Sequence, residues 1–252
     1  MVTRKSPAEI EKMRRAGRIV AEVLALAESE LRPGVTTAHL DRIAERHIRA
    51  AGAVPSFKGY GDRRNPFPAT LCISIDDEVV HGIPGERTIQ EGQTVSIDAG
   101  AILDGWHGDA ARTFFVGEPQ NGVAELIDTT RLALLAGIAA ARPGNRIGDI
   151  SAAIEDVASP HGYGIVRQFV GHGIGTEMHQ EPQVPNYRAG AKGLELVPGI
   201  CLAIEPMLTL GSHEVALKSD GWTVVTRDGS LSAHFEHTIA VTEDGPQILT
   251  TI

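Results

Sequence analysis

The sequence predicts a single α/β domain, of the α+β kind, built from two similar halves that each run from helices into strands. Three observations carry that expectation. Apolar residues recur at helical spacing in long stretches near the start of each half, the segments between them alternate as strands do, and blocks from roughly residues 1–120 return in the same order within 121–252. No Pro/Ser-rich linker or shift in composition divides the 252 residues, so residues 1–252 are read as one domain.

The first helix opens at Ser6-Pro7-Ala8-Glu9, where serine with glutamate three residues on makes a capping box and proline takes the first helical position. Ile10, Met13, Ile19, Val20, Val23 and Leu24 follow at near-helical spacing until Arg32-Pro33-Gly34 stops the run. The second helix starts at Thr36 or Thr37, carries Leu40, Ile43, Ala44 and Ile48, and ends at Gly52. Strand-like alternation covers 71–75, 94–99 and 106–116. A long helix is expected from about 123 to 141, and strands over 166–170, 200–205, 222–226 and 235–241 complete the chain.

The repeat ties these elements together. Arg32-Pro33-Gly34 returns as Arg142-Pro143-Gly144, with Leu40, Glu45 and Gly52 opposite Ile150, Glu155 and Gly162 at the same offset. Later, Glu91-Gly92 leading into Val95-Ser96-Ile97-Asp98 matches Pro198-Gly199 leading into Leu202-Ala203-Ile204-Glu205, which sets Asp98 opposite Glu205. Arg-Pro-Gly alone is only a good helix stop; two blocks in the same order point to duplication. A duplicated unit can close about a pseudo-two-fold axis and aim equivalent carboxylates at one place.

Composition narrows the class. Apolar content of 42% and charged content of 22% exclude disordered and collagen-like chains. Cys72 and Cys201 cannot make a disulfide framework and suit a reducing compartment. The start of the chain has no apolar signal core, and no apolar run approaches the roughly 18 residues of a membrane span. A net charge of -9, from 23 Lys+Arg against 32 Asp+Glu, argues against broad nucleic-acid binding. A soluble cytoplasmic globule, with no membrane or specific nucleic-acid partner, is the expectation.

Chemistry concentrates in acids and histidines. Alternation along the strands turns Asp98 away from Val95, Ile97 and Ala99, and sets Asp109 beside Ala111, Thr113 and Phe115. It likewise groups Glu205 with Ala203 and Cys201, and Glu236 with Thr238 and Ala240. Acids projecting from strands beside small neighbours suit a cavity floor. Buried together without counter-charge they would be forced to protonate, and a multivalent cation is the simplest remedy; four such groups suggest two ions. Taken singly, each acid is better explained by a salt bridge or a strand end. Gly171-His172-Gly173-Ile174-Gly175, with His179 seven residues on, offers imidazole in a segment open to close approach, and His81 stands at a further strand end. Oxygen-rich ligation with one imidazole fits Mn, Fe(II), Co or Zn.

His81-Gly82-Ile83-Pro84, Asp98 with Asp109, Gly171-His172-Gly173-Ile174-Gly175, His179-Gln180-Glu181-Pro182-Gln183-Val184, Ala203-Ile204-Glu205-Pro206-Met207 and Phe235-Glu236-His237-Thr238 together resemble the type I methionine aminopeptidases, in order and over essentially the whole chain. The resemblance implies the pita-bread fold, two pseudo-symmetric halves with a central antiparallel sheet covered by helices. It also implies two divalent ions per chain (Co, Mn, Fe(II) or Zn), with Asp109 and Glu236 bridging them, Asp98 chelating one, and His172 with Glu205 completing the other. Metal-activated water would then remove the N-terminal methionine of nascent proteins and peptides whose second residue is small. In that chemistry Glu205 would shuttle a proton, His179 would donate to the carbonyl oxygen, and His81 would meet the scissile nitrogen or leaving group.

By similarity, Tyr60, Phe67, Cys72, Met178 and Trp222 would line the methionine pocket; taken alone, each reads equally well as a core residue. Met178 stands where the family often has an aromatic residue, and residues 61–66 form a longer, more charged loop than the family pattern. The interval from His179 to Glu205 has no room for the type II helical insertion, and no Cys- or Pro-rich extension precedes Ser6, as in the short bacterial form. The alternatives are an Xaa-Pro aminopeptidase or prolidase on the same fold, which would carry a further N-terminal domain and a histidine just before Gly171, and a non-catalytic binding member, which would have lost ligands. The resemblance further implies work on nascent chains, near the ribosome, by a monomer.

Overall fold

The computed structural model describes residues 2–119 and 122–252, so the boundary expected between the halves at 120/121 lies outside the described residues. Helix α1 (Pro7–Glu30) begins on the expected capping box: the Ser6 side chain accepts from the Glu9 amide, and the Ser6 amide donates to the Glu9 carboxylate at 2.8 Å. Helix α2 (Thr37–Ala50) is capped by Thr36, whose hydroxyl accepts from the His39 amide. Helix α3 (Val123–Ala140) matches its expected span to within a residue. Helix α4 (Ile147–Ala158) falls where no element was expected, although the repeat residues Ile150 and Glu155 lie on it.

The two helical corners are built alike. Gly34 and Gly144 both take the left-handed conformation, at φ 87° and 86°, that Cβ-bearing residues resist. The Gly34 amide donates to the Ile89 carbonyl at 2.8 Å, and the Gly144 amide to the Leu196 carbonyl at 2.9 Å. Ile89 and Leu196 then donate back to Val35 and Asn145.

Each helical pair covers one antiparallel sheet. In the first, the Thr94–Leu103 and Trp106–Phe115 strands form a hairpin of two ten-residue strands, with Leu71–Ile75 and Val54–Pro55 pairing along the other edge of Thr94–Leu103. In the second the strand order is Gly245–Ile248, His237–Thr242, Cys201–Ile204, Gly171–Gly173, Gln180–Val184. Val20, Leu24, Leu40 and Ile97 pack in one core, and Leu134, Ile150, Leu202 and Ile239 in the other. Each such buried side chain stabilises the fold by roughly 1.5–3 kcal/mol.

The sheets meet edge to edge between Ala111 and Glu236, which exchange backbone hydrogen bonds at 2.9 and 3.3 Å. Next along this seam, the Thr238 hydroxyl accepts from the Asp109 amide at 3.0 Å and donates to the Asp109 carbonyl at 2.8 Å. The central sheet is therefore two sheets stitched together where two of the candidate acids sit.

Several expected strands differ in extent. Residues 166–170 form no strand: Gly164–Ile165 and Gly171–Gly173 flank them, Arg167 and Gln168 face solvent, and only the Val166 amide reaches a neighbouring strand, at Met207. The strand expected over 222–226 is confined to Val224–Thr226. Cys201–Ile204 stops one residue before Glu205, and His237–Thr242 starts one residue after Glu236. Asp98 and Asp109 thus project from strands as expected, whereas both glutamates sit just past strand ends. Among the described residues no helix is long and apolar enough to cross a membrane.

Candidate active site

The hairpin register pairs Asp98 with Ala111 and Gly100 with Asp109, which makes the two aspartates diagonal neighbours on one face. The seam brings Glu236 to Asp109. From the second sheet, His172 Nε2 lies 4.0 Å from Asp109 Oδ2 and 3.5 Å from Glu205 Oε1. Asp109, His172 and Glu236 each present a ligand atom within 4.8 Å of the others, and all three are buried. Residues drawn from positions 98 to 236 thus converge on one spot.

No lysine or arginine neutralises this charge: among the described residues, every ion-pair contact of these acids is to His172 or His234. Burial pushes the Asp98 carboxyl up to about 7. It also raises Asp109, Glu205 and Glu236 well above the ordinary carboxylate range, and their mutual repulsion adds to the shift. Three carboxylate oxygens, Asp98 Oδ1, Asp109 Oδ1 and Glu236 Oε1, are buried without any hydrogen-bond partner. His172 Nδ1 lies 3.0 Å from the Gly173 carbonyl and donates to it, which turns the lone pair on Nε2 toward the acids. Burial holds this ring neutral by lowering its pKa to about 3. Partnerless acceptors, a neutral imidazole fixed from behind and no cationic side chain are the donor set of a divalent-cation site.

Beside the cluster, Phe57, Tyr60, Phe67, Cys72, Met178 and Trp222 enclose a small cavity of about 100 Å³ that reaches Asp98 and Asp109. Tyr60, Phe67, Cys72, Met178 and Trp222, grouped by similarity from the sequence, thus line a single cavity. Phe67 meets Trp222 and Phe57 edge-on, at 5.2 and 6.5 Å between ring centres. Residues 61–66 fold over this wall: Trp222 Nε1 donates to the Asn65 carbonyl at 3.0 Å, and Asn65 Nδ2 to the Asp220 carbonyl at 3.1 Å. The cavity gives onto a wider cleft of about 800 Å³ along Gln168, Phe169 and Gln183. His81, at φ 61° directly after its strand, and His179 border both spaces.

Two neighbours escaped the sequence reading. Phe57 is one, an apolar residue just ahead of Tyr60. The other is His234, buried with Nε2 unpartnered and 3.8 Å from Glu205 Oε2. It lies two residues before Glu236, so the alternation that singled out Glu236 also pointed to it.

Residues 11–243 match the sequence pattern of metallopeptidase family M24. The chain belongs to that family. Similar M24 proteins include the methionine aminopeptidase of Clostridium acetobutylicum, 51% identical with 99% of each chain covered, and methionine aminopeptidase 1 of Bacillus subtilis, 46% identical over the whole of both. Among solved structures, the methionine aminopeptidase of Thermotoga maritima superposes with a TM-score of 0.96 at 42% identity, each chain covered in full. The fold is thus the pita-bread arrangement of the M24 enzymes. The prolidase of Pyrococcus furiosus, with a TM-score of 0.79 at 23% identity and 65% of its chain covered, shares the fold alone. Membership of M24 implies a divalent metal, which the orphaned carboxylate oxygens fit.

Proposed function

We propose that this protein is a type I methionine aminopeptidase, a single catalytic domain with duplicated halves that releases the first methionine of peptides and proteins whose second residue is small. The observation that carries the reading is a buried carboxylate–histidine cluster, with no cationic partner among the described residues, opening directly into a small pocket walled by apolar and aromatic side chains. Likeness in sequence to methionine aminopeptidases along the whole chain supports it.

Asp98, Asp109, His172, Glu205 and Glu236 would hold two divalent ions, Asp109 and Glu236 being shared between them. Such ions act as Lewis acids and lower the pKa of bound water toward neutrality. Mn, Fe(II), Co and Zn all suit the donor set. The chain's own residues supply the rest. The anionic end of the site beside Asp98 suits a free α-amine, and with the pocket it selects a first residue over an internal one. His179 donates to the carbonyl oxygen as negative charge grows there. Glu205 accepts the proton of the attacking water and returns it to the leaving amine. His81, packed edge-on against Phe169 and Trp222, stands at the join of pocket and cleft, where the scissile nitrogen would lie. Tyr60, Phe67, Cys72, Met178 and Trp222 enclose the thioether side chain. The reading extends to a cytoplasmic monomer acting on nascent chains near the ribosome.

The test is competition between Met-Ala-Ser and Ala-Pro-Phe peptides in the presence of Mn or Co. Methionine should be released from the first and the second left intact; preferential cleavage of the second would move the protein to the proline-specific branch.

A further inference from the structure

The Tyr60 hydroxyl lies 2.6 Å from His179 Nδ1, a contact that a purely apolar pocket wall would not make. A phenol can donate its O–H or accept at its oxygen, and a neutral imidazole carries one N–H and one acceptor nitrogen, so the contact is compatible with either direction. A ring flip would break it, and for His179 to donate to a substrate carbonyl through Nε2 the phenol must be the donor to Nδ1. The His179 ring also lies 4.2 Å from the His172 ring, between centres, which confines it further.

We infer that Tyr60 is a positioning residue that holds His179 in the Nε2–H tautomer, with that N–H free to donate to the substrate carbonyl. This deepens the reading given above and rests on it for the identity of the reaction. Two further features agree. The tyrosine is itself braced, because the Tyr60 amide donates to the Phe57 carbonyl and the Phe67 amide to the Tyr60 carbonyl, at 2.9 and 2.8 Å. The next residue, Gly61, is seated so closely that a Cβ there would stand 2.6 Å from the Trp222 ring. The charged loop at 61–66 thus acts as a clamp on the tyrosine that orients the histidine.

The experiment is Tyr60→Phe, which removes the hydroxyl and keeps the ring. Metal-free protein labelled with ¹⁵N-histidine is read by long-range ¹H–¹⁵N correlation, with His179 assigned through a His179→Gln variant. Wild-type His179 should show the Nε2–H pattern, and the variant a mixture of both tautomers. With Mn restored, kcat on Met-Ala-Ser should fall roughly 3–10-fold, the worth of one hydrogen bond, while KM changes less than twofold. An unchanged His179 spectrum in Tyr60→Phe, or a loss confined to KM, would overturn the inference. Failure of the wild type to release methionine would instead defeat the aminopeptidase reading, and the spectrum would still decide what Tyr60 does.

Discussion

Replacing Asp98 by asparagine (Asp98→Asn) should stabilise the metal-free protein at pH 8 and destabilise its metal-loaded form relative to wild type. Asp98 ionises near 3.8 in an unfolded chain and near 7 in the fold. A carboxyl whose pKa is raised by folding binds its proton more tightly when folded. Stability is therefore lost as pH climbs from about 4 through 7, and the loss is complete above that. Three units correspond to about 4 kcal/mol, or about 8–16 °C in Tm for a chain of this size. Asp98 and Asp109 are neighbours that titrate together, so the figure belongs to the pair. The amide introduced by Asp98→Asn carries no charge and removes the repulsion. The assay is thermal unfolding followed by circular dichroism in EDTA at pH 5, 6, 7 and 8, then repeated with Mn. In EDTA the D98N variant should melt above wild type at pH 8, with the gap narrowing toward pH 5. Mn should reverse the order, because one ligand is gone. A gap independent of pH, or a D98N variant less stable than wild type in EDTA at pH 8, would refute the crowding of these acids.

His179→Ala should slow methionine release by on the order of a hundredfold, as expected for loss of one donor to a developing oxyanion, with bound metal by atomic emission unchanged. Gly61→Ala forces a methyl into the Trp222 ring at a φ of 96°; a loss of roughly 1–3 kcal/mol in denaturant unfolding and a raised KM for methionine peptides are expected. Trp222→Ala removes the edge contact with Phe67 and the Nε1 bond to Asn65, so KM for Met-Ala-Ser should rise severalfold and bulkier first residues should become acceptable.

The parts legible in the sequence are those set by local rules. The Ser6–Glu9 capping box, the glycine corners and the inward turn of Asp98 and Asp109 follow from nearest-neighbour chemistry and strand alternation. Helix α4 is hard to read because Ile147, Ile150 and Ile154 make a short apolar stripe; it stands out only through its match to α2. The 166–170 segment carries enough apolar residues to resemble a strand, yet Arg167 and Gln168 at its centre turn it out to solvent. His234 obeys the same alternation as Glu236 and escapes notice because a lone histidine carries little signal. The bond from Tyr60 to His179 spans 119 positions and depends on how loop 61–66 seats against Trp222, which no local pattern encodes.

The most direct test of the metal site is an anomalous difference map from crystals grown with Mn. Two peaks about 3.5–4 Å apart are expected, one against Asp98 and the other against His172 and Glu205, with Asp109 and Glu236 touching both. No peak within the cluster, or Mn bound only elsewhere on the chain, would contradict it.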